Sequence, residues 1–136
     1  MSLADGVTCK SFRGATGGTE YFLAVRPAGR GNLDEQILEI EQRYEQAQRS
    51  LRLDGGTCIF RRLFVSDVIN QAGAIRSNSL CRSESGDPVA VSLVEQPPLP
   101  GLKIAMLAYH IANGGPLEKR FVTPHSVLVE KKRQPK

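Results

Sequence analysis

The chain has 136 residues, 40% of them hydrophobic and 24% charged, which is the length and balance of one ordinary globular domain (1–136) and excludes a disordered segment. The net charge is +4 with histidines neutral, and part of it sits in the terminal run Lys131-Lys132-Arg133-Gln134-Pro135-Lys136, which reads as a basic, solvated tail. No apolar run approaches the ~18 residues of a membrane span, and Met1-Ser2-Leu3-Ala4-Asp5 has neither a basic n-region nor an apolar h-region, so no membrane contact and a cytoplasmic location are expected.

Two strands come first, Val7–Arg13 and residues 20–26, with Gly14-Ala15-Thr16-Gly17-Gly18 as a hairpin loop between them. Those glycines lie between strands and not before a helix, so they are no phosphate-binding fingerprint. Residues 33–51 form a helix, because Leu33, Ile37, Ile40, Tyr44, Ala47 and Leu51 alternate in steps of four and three along one stripe. Asn32 serves as N-cap, and Glu35 completes a capping box. Glu39 with Arg43 and Glu45 with Arg49 are i,i+4 pairs in the favourable order, and Asp54-Gly55-Gly56 ends the helix. Thr57–Val65 is rich in β-branched and aromatic residues and reads as a strand. Ser66 or Asp67 then caps a second helix over 68–80, with Gly73 weakening its middle. Gly86-Asp87-Pro88 breaks the chain before a strand at 89–95. A proline-rich turn at 96–101 leads into a strand at 102–111. Asn113-Gly114-Gly115-Pro116 is a loop, and 126–130 forms a short final strand.

The β-β-α-β-α-β-β order predicts an α/β (α+β) domain. Its strand–helix–strand units imply parallel pairings, with both helices packed on one face of a mixed sheet. In strict alternation Cys58, Phe60 and Phe64 face one side of their strand, and Ile59, Leu63 and Val65 the other. Leu102, Ile104, Met106 and Ala108 likewise oppose Ala105, Leu107 and Tyr109, and Val89, Val91 and Leu93 oppose Ala90 and Val94. Two helices cover one side only, and a soluble monomer does not leave the other bare. Identical subunits in a closed ring are expected to cover it. The alternative is that the C-terminal segment folds back over it.

Cys9, Cys58 and Cys81 are odd in number, widely spaced and without a CxxC, which fits reduced thiols and not a disulfide frame or zinc site. His110 and His125 have no acidic cluster beside them in sequence, so neither a metal site nor a catalytic triad is expected, and nothing calls for a cofactor. Aromatics are 6% with no Trp, which argues against a base-stacking platform and against a nucleic-acid partner. Arg61 and Arg62 point to opposite faces of an apolar strand, so at least one lies near buried surface and needs an acidic partner. That partner is either an anionic ligand or a structural carboxylate such as Glu95. Glu95 and Gln96 end a strand just before Pro97-Pro98. A partly buried Glu95 would be a candidate catalytic base, and an exposed one merely an edge residue. Tyr109 ends the last long strand.

Three segments carry a resemblance to a known family. Phe60-Arg61-Arg62-Leu63-Phe64-Val65-Ser66-Asp67-Val68, Asp87-Pro88-Val89-Ala90-Val91-Ser92-Leu93-Val94 and Gly101-Leu102-Lys103-Ile104-Ala105-Met106-Leu107-Ala108 resemble, in order and spacing, strands of the RidA (YjgF) family. The resemblance implies a chorismate-mutase-like, RidA-like fold, a homotrimer and ligand clefts between subunits. In the family's imine deaminases an arginine grips the substrate carboxylate with two prongs, and a glutamate on the last long strand places the attacking water. Ungapped from Pro88, those positions here are Ala90 and Ala105. A methyl group does neither task, and the neighbours Val89, Val91, Ile104 and Met106 do not restore it. Ser92 falls where the family often has cysteine, near the cleft. The expectation is a homotrimer that binds a small anionic metabolite through Arg61, Arg62, Ser92, Gln96 and Tyr109, with imine deamination not expected. One alternative is a hydrolase or lyase on a chorismate-like carboxylic acid in the same cleft. Another is an RNA-binding or endoribonuclease module, which a continuous basic face with exposed aromatics would favour.

Overall fold

The computed structural model describes residues 3, 5–14, 18–29, 31–53, 57–81, 89–96, 101–112, 117–123 and 126–131. The elements are β1 (Val7–Arg13), β2 (Thr19–Val25), α1 (Leu33–Ser50), β3 (Thr57–Val65), α2 (Val68–Arg76), a 3-10 turn (Ser79–Cys81), β4 (Ala90–Glu95), β5 (Ile104–Ala112), β6 (Leu117–Thr123) and β7 (Ser126–Lys131). Five strands form one mixed sheet in the order β1-β2-β5-β3-β4, and β6 pairs with β7 in a separate two-stranded sheet. Among the described strands only β3 and β4 pair in parallel. The expected parallel pairing of β2 with β3 is replaced by β5, which inserts between them antiparallel to both.

The stripe on α1 is the reason for its docking: Ile37, Ile40, Tyr44 and Ala47 are all buried. Asn32 Oδ1 accepts from Glu35 N at 2.9 Å, and Glu35 Oε1 accepts from Asn32 N at 3.2 Å, the reciprocal capping box. Leu51 caps the C-terminus, and Arg52 follows at φ 56°, the left-handed turn usually given to glycine. The Asp54-Gly55-Gly56 stop, most of the Gly14–Gly18 loop and all of the basic tail beyond Lys131 lie outside the described residues. Helix α2 ends at Arg76, short of the expected 80, and the tighter turn that follows buries Leu80. Strand β6 breaks the hydrophobic alternation with Glu118-Lys119-Arg120, which is why its sequence does not announce a strand.

Strand β5 alternates buried and half-buried residues along its whole length. Its buried set, Ile104, Met106, Ala108, His110 and Ala112, meets Leu23, Val25, Leu63 and Val65 under α1 and α2. Both helices therefore lie on one face. A bulge between Cys58 and Phe60 corrects the strict alternation on β3. Cys58 pairs with His110 and joins the helix-covered face, while Phe60, Arg62 and Phe64 take the other.

Candidate functional site

No described helix covers the second face of the sheet. It presents Ala105, Leu107, Tyr109 and Ile111 from β5, with Phe60, Arg62 and Phe64 from β3. Ala90, Ser92 and Val94 of β4 lie beside the latter, and Glu20, Phe22 and Ala24 of β2 lie beyond β5. Thr8, Lys10 and Phe12 of β1 complete the face, and Phe12 is 55% exposed. Four rings cross four strands in a row. Phe12 meets Phe22 edge-on at 6.0 Å, Phe22 stacks on Tyr109 at 4.7 Å, and Tyr109 lies 5.4 Å from Phe60. The Arg62 guanidinium sits over the far side of the row, 5.6 Å from the Phe60 ring centre.

Charge on this face is unevenly matched. Tyr109 donates its hydroxyl to Glu20 Oε1, which occupies the one carboxylate among the described residues of the face. Burial first, and then the Glu20 carboxylate, push the Tyr109 phenol up to about 12. Burial also raises the Tyr44 phenol on the helix side, where Arg61 opposes the shift. Both tyrosines hold their protons more tightly folded than unfolded, so their contribution to stability is complete below the unfolded value near 10. Stability is expected to fall as pH rises through the folded value of about 12 for Tyr109. Chemical denaturation midpoints measured at a series of alkaline pH values should be flat below the unfolded value near 10 and decline from there to about 12, and less so for Tyr109→Phe.

At one end of the face the small side chains of Ala24 and Ala105 leave an open hollow of about 310 Å³, walled by Phe64 and Leu107, with Thr8 and Arg26 also lining it. A second, more polar hollow of about 240 Å³ lies on the helix side, between α1 and the 3-10 turn, and takes in Arg61, Tyr44, Glu41 and Glu45. Beneath it Tyr44 Oη lies 2.5 Å from His110 Nε2 and donates to Cys58 Sγ at 3.5 Å.

The structure divides the residues singled out by sequence. Arg62, Ser92 and Tyr109 share the open face, and Arg62 sits directly across from Ser92. Arg61 turns the other way, donating from Nε to Tyr44 Oη at 3.4 Å and from Nη1 to Leu80 O at 3.3 Å. Glu95 is exposed and accepts from Val68 N at 3.0 Å at the start of α2, and within one chain it forms no ion pair with Arg61 or Arg62; a pair with Glu95 of a neighbouring subunit is the other form of that expectation. Gln96 is exposed just past β4, its backbone N–H donating to Val94 O at 3.0 Å. Sequence reasoning missed Glu20, Lys10, Thr8 and Arg26. Their alternation was readable, but not that β2 lies beside β5.

Among the described residues, no group of three or more His, Cys, Asp or Glu is placed to hold a metal ion, and no helix is long and apolar enough to cross a membrane. No protein-family model and no curated protein matches the chain. Among solved structures it is similar to an uncharacterized protein from Pseudomonas aeruginosa, with 13% identity over 75% of this chain and 96% of that one and a TM-score of 0.53. That likeness shows a shared fold. It is also similar to a proposed translation initiation inhibitor from Salmonella typhimurium, with 15% identity over 75% of this chain and 96% of that one and a TM-score of 0.46.

Proposed function

We propose that this chain is a single-domain, cytoplasmic RidA-like protein whose copies assemble into a homotrimer over the open sheet face and bind a small anionic metabolite in the clefts between them. The observation that carries the reading is the open face itself: a row of four rings with alanines and Leu107 around it, and Lys10 and Arg62 as its cations. An apolar expanse of this kind favours a protein partner, and its excess positive charge favours an anion. Ala90 and Ala105 both lie on this face, opposite Phe60 and Phe64 respectively. The two positions at which the resemblance calls for arginine and glutamate therefore face the same space, and both carry methyl groups.

The aromatic row bears on the RNA alternative as well. Phe22 and Tyr109 stack on each other with an interplanar angle of 21°, which takes up one face of each ring within the sheet and weighs against base stacking. Arg62 covers Phe60 in turn. The reading of altered chemistry on a carboxylic acid has one observation in its favour, the Tyr109–Glu20 pair, which sets a phenol beside a carboxylate on the open face.

The test is a 2-iminobutanoate hydrolysis assay on the purified protein. The expected rate equals that of buffer alone, since neither a carboxylate clamp nor a water-placing carboxylate stands at positions 90 and 105. Robust hydrolysis would mean that another arginine grips the carboxylate and that the assignment of these positions is wrong.

A further inference from the structure

We propose that Tyr44 and His110 form an acid-operated latch between α1 and the sheet, closed while the His110 imidazole is neutral and released when the ring takes up a proton. Both side chains lie in the core, 4% and 2% exposed, and Tyr44 Oη is 2.5 Å from His110 Nε2. The pair ties the middle of α1 to β5. The phenol has one proton to give and two acceptors within reach, His110 Nε2 and, at 3.5 Å, Cys58 Sγ. Burial above all pushes the Tyr44 phenol up, so that proton stays on oxygen. A neutral imidazole nitrogen accepts well and a thiol sulfur weakly, so the phenol turns to His110. Arg61 Nε donates to the same oxygen at 3.4 Å, with its guanidinium 5.5 Å from the Tyr44 ring centre.

Acid reverses this arrangement. An imidazolium carries donors at both nitrogens and no acceptor. Nε2–H must then point at Tyr44 Oη, and the phenolic proton is left to the Cys58 sulfur. The new cation also stands across one oxygen from Arg61, in a place that water does not reach. Lys119 adds a third cation nearby, donating to Cys58 O at 2.7 Å. The described groups around the ring do little to offset these charges. Tyr21 of β2, the cross-strand partner of His110, is a phenol. Cys81 of the 3-10 turn is a thiol that burial pushes up, faced by Arg61 and Arg76. On α1, Glu41 is engaged by Asn78 Nδ2 at 2.5 Å and Ser79 Oγ at 3.1 Å, and Glu45 is 70% exposed beside Arg49. Lifting α1 hydrates the imidazolium and relieves the conflict. The hold on α1 is therefore complete above the ordinary histidine value of about 6.5 and is lost as pH falls below it.

The test is amide hydrogen exchange on the full-length protein from about pH 8 to about pH 5, the span over which histidine changes charge. Protection in α1, taken relative to the intrinsic rate at each pH, should fall in acid by up to about tenfold per pH unit, the limit for one proton taken up on opening. Protection in β5 should hold over the same span. His110→Gln keeps an acceptor for Tyr44 but does not titrate, and should abolish the acid step. The imidazole signal of the unaltered protein, assigned with His125→Gln, gives a second readout that needs no change in the core. Its titration should coincide with the loss of α1 protection. The latch is overturned if α1 stays protected while His110 titrates, if α1 and β5 lose protection together, or if His110→Gln retains the acid step.

Discussion

Replacing Leu107 with aspartate is expected to leave the protein as single chains of 14.9 kDa in solution. Leu107 stands in the middle of the open face, across from Ala24 on one side and Arg62 on the other. In an assembly built over that face, a carboxylate there must leave water, at a cost of several kcal/mol for each subunit. Within one chain the same carboxylate remains hydrated, and the core under the helices is untouched. The variant should therefore stay folded by circular dichroism while its mass drops. Ile69→Asp supplies the control. Ile69 is 90% exposed on α2, on the helix side of the sheet, and its replacement should not alter the mass. Equal loss of assembly in both variants would count against the open face as the interface.

Leu63→Ala should have the complementary effect. Leu63 neighbours Arg62 on β3 but points to the helix side, where it is 0% exposed and packs in the main core. Removing its side chain forfeits burial and leaves a cavity, which together cost roughly 2–5 kcal/mol. Urea unfolding at fixed protomer concentration measures this loss, since assembly itself adds concentration-dependent stability. A shift of the midpoint with no change of mass below the transition is the expected result. Adjacent residues on one strand would then separate folding from assembly, as their opposite faces require.

Much of the fold is written in local pattern. The stripe and capping box of α1 sit where the residues place them, and β1 and β3 run over the predicted spans. What local pattern does not hold is the order of strands. Nothing in residues 19–25 says that β5 will lie between β2 and β3, because that depends on pairings between segments far apart in the chain. The bulge at Cys58–Phe60 is a second example. Strict alternation sent Cys58 and Phe60 to one face, and one extra residue in the strand parts them.

The candidate site was legible to the same degree. Alternation on β3 gave opposite directions for Arg61 and Arg62, but Tyr44, a partner of Arg61, comes from α1, 17 residues back along the chain, and could not be named from spacing. Glu95 illustrates a different difficulty. A carboxylate at a strand end reads equally as a base or as an edge residue, and only the folded position shows its oxygen at the start of α2. The hollow at Ala24 and Ala105 was invisible because small residues on two strands make a cavity only when the strands are neighbours.

The most direct test of the account is the solution mass of the unaltered protein, measured by sedimentation equilibrium across a dilution series. Assembly over the open face predicts three times the 14.9 kDa chain mass, persisting on dilution. A mass of one chain throughout would contradict it, since the row from Phe12 to Phe60 would then face water with no subunit to cover it.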